Sequence, residues 1–169
     1  MRLGGALCFL LLQVLLGYAQ QSEIAKAKIT FEFPSKSVKG SIEGFQSQSQ
    51  IDWDTPSNSI FRGSVKVATL DTNNGLRNWS LRGSRYFNVK NHPEISYSSR
   101  KVSTTGSSWL VDGDLTIKGI TKSVQIEFDE LDGKLVGKAS LYSSDFGIKI
   151  KKRREDNLVN IRFEFESVR

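Results

Sequence analysis

The chain has 169 residues, a formal net charge of +6 at pH 7 and 38% hydrophobic residues, which suits one domain with its own core. The modest positive excess comes without a recognised nucleic-acid motif, so we expect no nucleic-acid partner. The only cysteine in the sequence is Cys8. Residues 20–169 therefore offer no disulfide, no thiol nucleophile and no thiolate ligand for a metal.

The first 19 residues have the pattern of a secretory signal peptide. Arg2 precedes an apolar run from Leu3 to Leu16, and the small residues Gly17 and Ala19 follow that run. The run is shorter than the ~20 apolar residues of a spanning helix, which disfavours a membrane anchor. We therefore expect cleavage after Ala19 and one exported domain over 20–169.

From Ile29 onward, apolar residues recur mostly at every second position, which predicts half-buried β-strands separated by turns. The clearest turn is Leu131 to Lys134, because an Asp-Gly pair stands at its centre. About eight strands are predicted in chain order: Ile29 to Phe33, Val38 to Phe45, Ile60 to Leu70, Ile95 to Arg100, Ser108 to Lys118, Ser123 to Asp129, Leu135 to Tyr142 and Val159 to Glu166.

One short helix interrupts the strands. Asp71 and Thr72 can cap its first turn, because their side-chain oxygens accept free backbone N–H groups. Apolar residues then follow at near-helical spacing, which predicts a helix over 73–82. Gly83 is well placed to end it.

Few residues suit catalysis. His92 is the only histidine, and a lone histidine before a proline in a loop is typical of a structural role. Asp112 and Asp114 share a strand face, but their position around Gly113 favours turn chemistry over acid–base catalysis. We therefore predict no catalytic residue, no metal site and no enzymatic activity.

The densest positive run is Lys149 to Arg154. It has two interpretations: an electrostatic contact with an anionic membrane surface, or a solvated hairpin end balanced by Glu155 and Asp156. The second interpretation is favoured, because charge runs usually lie on solvated surfaces.

Five segments, taken together and in this order, resemble the bacterial YceI-like family: Ser64 to Val67 leading to Leu70 to Thr72, Arg77 with Leu81 and Arg82, Tyr86 to Val89, Gly113 to Lys122, and Ser144 to Ile148. The resemblance implies an all-β fold, an antiparallel lipocalin-like barrel with an internal apolar tunnel. It implies a protein that binds a long isoprenoid chain such as a quinone tail, and we expect no required cofactor. The signal peptide predicts that the protein is periplasmic or secreted.

The resemblance and the alternation of side chains together select candidate binding residues. For the head group or a transient membrane contact they are Arg77, Arg82, Lys151, Lys152, Arg153 and Arg154. For the apolar lining they are Phe31, Phe33, Phe61, Val65, Trp79, Phe87, Tyr97, Leu115, Ile117, Phe146 and Phe163.

Two other functions stay open at this point. Large aromatic rings pack a solid core as well as they line a tunnel, and a filled core would favour a stress-related interaction protein. An enzyme acting on a lipid or small molecule within the barrel is the other alternative. The sequence allows a monomer or a homodimer.

Overall fold

The computed structural model describes residues 22–168, so the predicted signal peptide and its cleavage point lie outside the described residues. The described part of the chain contains nine strands and one α-helix: β1 Glu23–Phe33, β2 Val38–Ile42, β3 Gln46–Ser47, β4 Arg62–Lys66, α1 Gly75–Arg82, β5 Glu94–Thr105, β6 Ser108–Ile117, β7 Ile120–Leu131, β8 Lys134–Tyr142 and β9 Leu158–Val168.

All nine strands form one antiparallel sheet, in the order β2-β1-β9-β8-β7-β6-β5-β4-β3. The sheet curls into a half-barrel. Isolated bridges tie its edge regions to other parts of the chain: Ser22 pairs with Ile51 beyond β3, and Ser41 of β2 pairs with Asp71. The predicted all-β, antiparallel, lipocalin-like fold with one short helix is confirmed, with nine strands in place of about eight.

Two-residue turns set the register of the long hairpins. Lys118 and Gly119 join β6 to β7, and both have positive φ, 53° and 75°. Asp132 and Gly133 join β7 to β8 in the same way, with φ of 50° and 73°. This left-handed geometry matches the twist of paired strands, and glycine adopts it without steric cost.

The strand predicted over Ile60 to Leu70 is too long. β4 ends at Lys66, and a 3-10 turn occupies Val67–Thr69. The Thr69 hydroxyl lies 2.7 Å from the Lys66 carbonyl, and the Val67 N–H donates to Pro93 O at 2.9 Å. These bonds divert the chain from the sheet towards α1.

Other strands also differ in length from the prediction, and β1 begins at Glu23 instead of Ile29 because its first residues pair with β9. The strand predicted over Val38 to Phe45 ends at Ile42, because Gly44 turns the chain with a φ of 70°. The strand predicted over Ile95 to Arg100 continues to Thr105, since β5 stays paired with β6 beyond a bulge.

The helix begins two residues later than predicted and has a different cap. Its N-cap is Asn74, whose Oδ1 accepts a backbone N–H of the first turn at 2.9 Å. Asp71 instead accepts the Asn73 N–H at 2.8 Å, and Thr72 bonds to a residue inside the helix. Gly83 follows the last helical residue, as predicted.

The core has two groups of buried apolar side chains. The larger contains an aromatic cluster in which Phe61 and Phe128 stack with ring centres 5.1 Å apart, and Trp109 meets Phe61 edge-on at 6.4 Å. The smaller group lies at the end of the sheet near the segment that follows α1, and it comprises Ile117, Leu141, Phe146 and Ile148. No helix in residues 22–168 is long and apolar enough to cross a membrane.

Candidate functional site: an apolar cavity

The curled sheet encloses a cavity of about 750 Å³ whose wall takes side chains from both core groups. This volume lies in the range of about 300–1,000 Å³ typical of small-molecule sites. The interior is therefore not filled, which contradicts the filled-core alternative. The strands other than β3 supply most of the apolar wall: Ile29, Phe31, Phe33, Val38, Ile42, Val65, Ile95, Tyr97, Leu115, Ile117, Val124, Ile126, Phe128, Ala139, Leu141, Val159, Ile161, Phe163 and Phe165.

Glycines opposite aromatic residues explain why so many rings leave space between them. Phe31 pairs with Gly40 across β1 and β2, and Phe128 pairs with Gly137 across β7 and β8. A Cβ atom at Gly137 would lie 2.6 Å from Phe128 Cδ1, so the ring occupies the place of the missing side chain. Each ring therefore lies over the neighbouring strand rather than projecting fully into the interior.

Tyr97 is a wall residue whose polar atom is satisfied by the sheet. Its hydroxyl oxygen lies 2.9 Å from Val111 O and 3.1 Å from Val124 O, and its ring covers Gly113. Burial raises the pKa of Tyr97 well above its usual range, and the charge of Asp112 adds to the effect. The phenol therefore stays neutral and bonded to backbone, which leaves the wall beside it apolar in character.

The cavity opens to solvent beside α1. Leu76 lies on the cavity wall although 77% of its surface is exposed. The charged side chains on the described wall are all cationic, namely Lys36, Arg62 and Arg77. Because these lining residues include no acid, the electrostatic environment suits a neutral or anionic polar group.

Asn78 fixes α1 over this opening. Its side-chain oxygen accepts the Thr72 N–H at 2.9 Å and the Thr72 hydroxyl at 2.7 Å, and its amide donates to Asp71 Oδ1 at 2.8 Å. This amide bond and the Asn73 N–H hold the pKa of Asp71 below its usual value. Since the Asp71 backbone pairs with Ser41, the helix is tied to strand β2.

The predicted lining residues fall into two groups. Trp79 is not on the wall, because successive residues of a helix are rotated by about 100° and Asn78 occupies the inward position. The indole is 75% exposed, which corrects the prediction. The others all lie on the wall, while their contact with a lipid stays a prediction: Phe31, Phe33, Phe61, Val65, Phe87, Tyr97, Leu115, Ile117, Phe146 and Phe163.

The predicted head-group residues on the helix have different surroundings. Arg77 lies on the cavity wall, near the opening marked by Leu76. Arg82 is half-buried and donates from Nη2 to Leu70 O at 3.1 Å, so it helps to attach the helix. The position of Arg77 therefore suits contact with a head group, whereas that of Arg82 does not.

The arginines of the basic run are paired with acids, and for Arg153 these are the two acids that the hairpin-end interpretation named. Arg153 lies 2.9 Å from Asp156 and 3.5 Å from Glu155. Arg154 makes two bonds to Asp145, of 2.8 and 2.6 Å. Lys151 and Lys152 carry the remaining charge of this predicted group, and none of the four lies on the cavity wall.

The residues weighed for catalysis lie off the cavity wall. His92 packs against Gly119, where a Cβ would stand 2.9 Å from the imidazole. Asp114 pairs with Arg100 at 2.7 Å, and Asp112 accepts a bond from Gln125 at 2.8 Å. Among the described residues, no group of three or more His, Cys, Asp or Glu side chains could hold a metal ion.

Several residues of the cavity wall were not predicted from the sequence. Val124, Ile126 and Ala139 alternate with outward-facing neighbours on β7 and β8, so the period of two carried a signal for them. Lys36 had no such signal, because it lies in the 3-10 turn Pro34–Lys36 and reaches the wall only through the fold.

Relatives in sequence are bacterial proteins of the UPF0312 group. One from Photorhabdus laumondii is 35% identical over 85 residues, which is 50% of this chain and 44% of that protein. One from Pseudomonas aeruginosa is 27% identical over 145 residues, or 77% of this chain and 73% of that protein. The chain thus spans less than half the length of the Photorhabdus relative.

Solved structures share the fold at low identity. The crystal structure of BcnA from Burkholderia cenocepacia has a TM-score of 0.71 at 20% identity, covering 86% of this chain and 98% of that one. A polyisoprenoid-binding domain from Saccharophagus degradans has a TM-score of 0.58 at 11% identity, covering 88% and 97%. The model of the YceI-like domain matches residues 19–167. The chain therefore belongs to the YceI-like family.

Proposed function

We propose that this protein binds an amphiphilic isoprenoid lipid, a quinone or polyprenyl chain, in its cavity without chemical turnover. The observation that carries the proposal is the apolar cavity of about 750 Å³ with an opening beside α1. The family and the polyisoprenoid-binding domain of similar fold support this ligand class. The absence of acids and histidine from the described wall disfavours general acid–base catalysis inside the cavity.

The energetics favour an apolar tail. A tail that buries about 400 Å² of apolar surface gains about 10 kcal/mol, at about 25 cal/mol per Å². Association and ordering costs of about 4–15 kcal/mol oppose this gain, so a long tail is needed for useful affinity. The aromatic and branched side chains of the wall provide contacts along such a tail without requiring a specific hydrogen-bond pattern.

The polar end of the lipid would lie at the opening. Arg77 provides donors there, and Lys36 and Asn74 lie on the same cavity wall. Quinone carbonyls and phosphate oxygens both accept hydrogen bonds from such groups. The tail would then extend inward, towards the aromatic cluster around Phe61 and Phe128.

We propose that this binding takes place in the periplasm or outside the cell, because the first 19 residues have the pattern of an export signal. A lipid in an aqueous compartment needs its tail shielded from water, because exposed apolar surface is costly. We propose a carrier or shuttle role there, in a protein that acts as a monomer or a homodimer.

Native mass spectrometry tests the proposal. The full chain is expressed with its N-terminal segment in a bacterial host and purified without detergent. We expect an added mass that releases an isoprenoid lipid on organic extraction. A protein that stays bare, even after incubation with quinones and polyprenyl phosphates, would contradict lipid binding.

Ala139→Phe and Ser140→Phe form a matched pair for the same measurement. Ala139 lies on the cavity wall, whereas Ser140 is exposed on the outer face of the same strand. The added ring should reduce the lipid-bound fraction only at position 139, because it fills space that the tail would use. Equal loading of both variants would place the lipid elsewhere.

A further inference from the structure

Two large apolar side chains on α1 face solvent at the cavity opening. Leu76 is 77% exposed and Trp79 is 75% exposed. They are three residues apart, so they lie on neighbouring positions of one helix surface. Leu76 also belongs to the cavity wall, which makes this exposed pair continuous with the interior.

All charged residues between Asp71 and Glu94 are cationic. This stretch, Thr72 to Pro93, contains Arg77, Arg82, Arg85 and Lys90 and no acidic residue. The loop after the helix folds back on it, since the N–H groups of residues 87–89 donate to carbonyls of residues 81–83 at 2.9–3.0 Å. Arg85 and Lys90 are therefore held beside the helix, and both are exposed.

Three of these cations form no ion pair with an acid in the described part of the protein. The ion pairs within residues 22–167 do not include Arg77, Arg85 or Lys90. In contrast, Arg153 and Arg154 of the basic run are paired with carboxylates. Arg77, Arg85 and Lys90 therefore add positive charge without acidic partners beside the exposed apolar pair, and a partner that fits this surface has an apolar interior together with negative charge.

We propose that Leu76 and Trp79, with Arg85 and Lys90, dock the open end of the cavity onto an anionic phospholipid bilayer. The two side chains insert at the interface, where an indole places its apolar body in the acyl region and its N–H near the head groups. The cations contact lipid phosphates. The inference rests on the proposed function for its purpose, because docking would let a lipid pass between bilayer and cavity without crossing water.

Co-flotation with vesicles tests the docking separately from lipid loading. The full chain is mixed with phosphatidylcholine vesicles that contain or lack phosphatidylglycerol. We expect binding only to the anionic vesicles, weakened at high salt because screening shortens the range of the attraction. A blue shift of the emission should accompany binding and report Trp79, since Trp109 is buried in the core and Trp53 packs against it.

Substitutions at residues off the cavity wall test the docking surface without changing the cavity. Trp79→Ser should weaken vesicle binding about tenfold, because a large apolar contact is lost. The control is Leu131→Ser, which removes a side chain that is 58% exposed in the β7–β8 turn. That turn lies at the other end of β7 from Lys118, which contacts the Arg85 carbonyl.

A second pair tests the charge. The double variant Arg85→Gln with Lys90→Gln should weaken vesicle binding and reduce its salt dependence. The control, Lys28→Gln with Lys101→Gln, makes the same change in net charge at exposed strand positions and should leave vesicle binding unchanged.

The docking proposal would be overturned if wild-type protein did not bind anionic vesicles, or if Trp79→Ser bound them as well as wild type. A wild-type dimer that Trp79→Ser converts to a monomer, without vesicle binding, would overturn it in favour of self-association. Vesicle binding by a protein that loads no isoprenoid would reject the proposed function alone.

Discussion

Gly137 stands opposite Phe128 on the neighbouring strand, and the phenyl ring fills the space that a side chain would need. Phe128 is fully buried and stacks on Phe61, so its ring cannot move aside freely. We expect Gly137→Ala to lower the free energy of unfolding by about 1–3 kcal/mol, the usual cost of overpacking a core. Urea denaturation measures this.

Gly75→Ala is the matched control. It lies at the start of α1, and a Cβ atom there meets nothing within 4 Å. Alanine is favoured over glycine in a helix, so this variant should be neutral or gain up to about 1 kcal/mol. Equal losses at both positions would show that the phenyl ring is not what excludes a side chain from position 137.

Side-chain direction was predictable where strands are regular. Phe31 and Phe33 reach the wall because alternate residues of a strand point to the same face, whatever the details of the fold. Trp79 could not be placed in this way. In a helix of eight residues, which residue faces inward depends on tertiary contacts, here the bonds of Asn78 to Thr72 and Asp71.

At the scale of elements, α1 depends on one buried side chain. Asn78→Ala leaves the Thr72 N–H and hydroxyl without their acceptor, and a buried donor left unsatisfied costs about 1–3 kcal/mol. We expect faster amide hydrogen exchange in Gly75–Arg82 and a loss of stability in this range. Hydrogen exchange measured by mass spectrometry tests the first expectation, and urea denaturation measures the loss in the free energy of unfolding.

Ser80→Ala serves as its control on the same helix. Ser80 is exposed, so its loss should leave exchange in α1 nearly unchanged. If the two variants exchange alike, the bonds of Asn78 do not limit the opening of the helix.

The strands were predicted better than the residues at which they begin and end. The hairpin around Asp132 and Gly133 follows from local turn chemistry, so its position was predicted closely. The end of β4 at Lys66 depends on the Val67 N–H bonding to Pro93 O, a contact between residues far apart in sequence. Local patterns carry no information about such a bond.

At the scale of the whole molecule, one end of the curled sheet is packed with rings and the other holds the opening. The aromatic content alone was compatible with either a solid core or a lined tunnel, and the structure combines both. The Phe61–Phe128–Trp109 cluster packs solidly, whereas the cavity of about 750 Å³ extends towards α1. The resemblance to the family, rather than the composition, was what predicted an internal space.

An internal cavity couples ligand binding to stability. A ligand that binds only the folded state raises the free energy of unfolding by about 2.7 kcal/mol when its free concentration is 100 times the Kd. We therefore expect a higher Tm for lipid-loaded wild-type protein than for protein stripped of lipid. Ser140→Phe should show the same increase, because its side chain lies outside the cavity.

Ala139→Phe should behave in the opposite way. Its ring fills apolar space, so the stripped variant should be at least as stable as stripped wild type. Added lipid should then raise its Tm little, because the volume that the tail needs is occupied. Differential scanning calorimetry of the three proteins, stripped and reloaded, compares these increments. An equal increase in Ala139→Phe and Ser140→Phe would mean that the stabilising lipid binds outside the cavity, and the carrier model would then lose its structural basis.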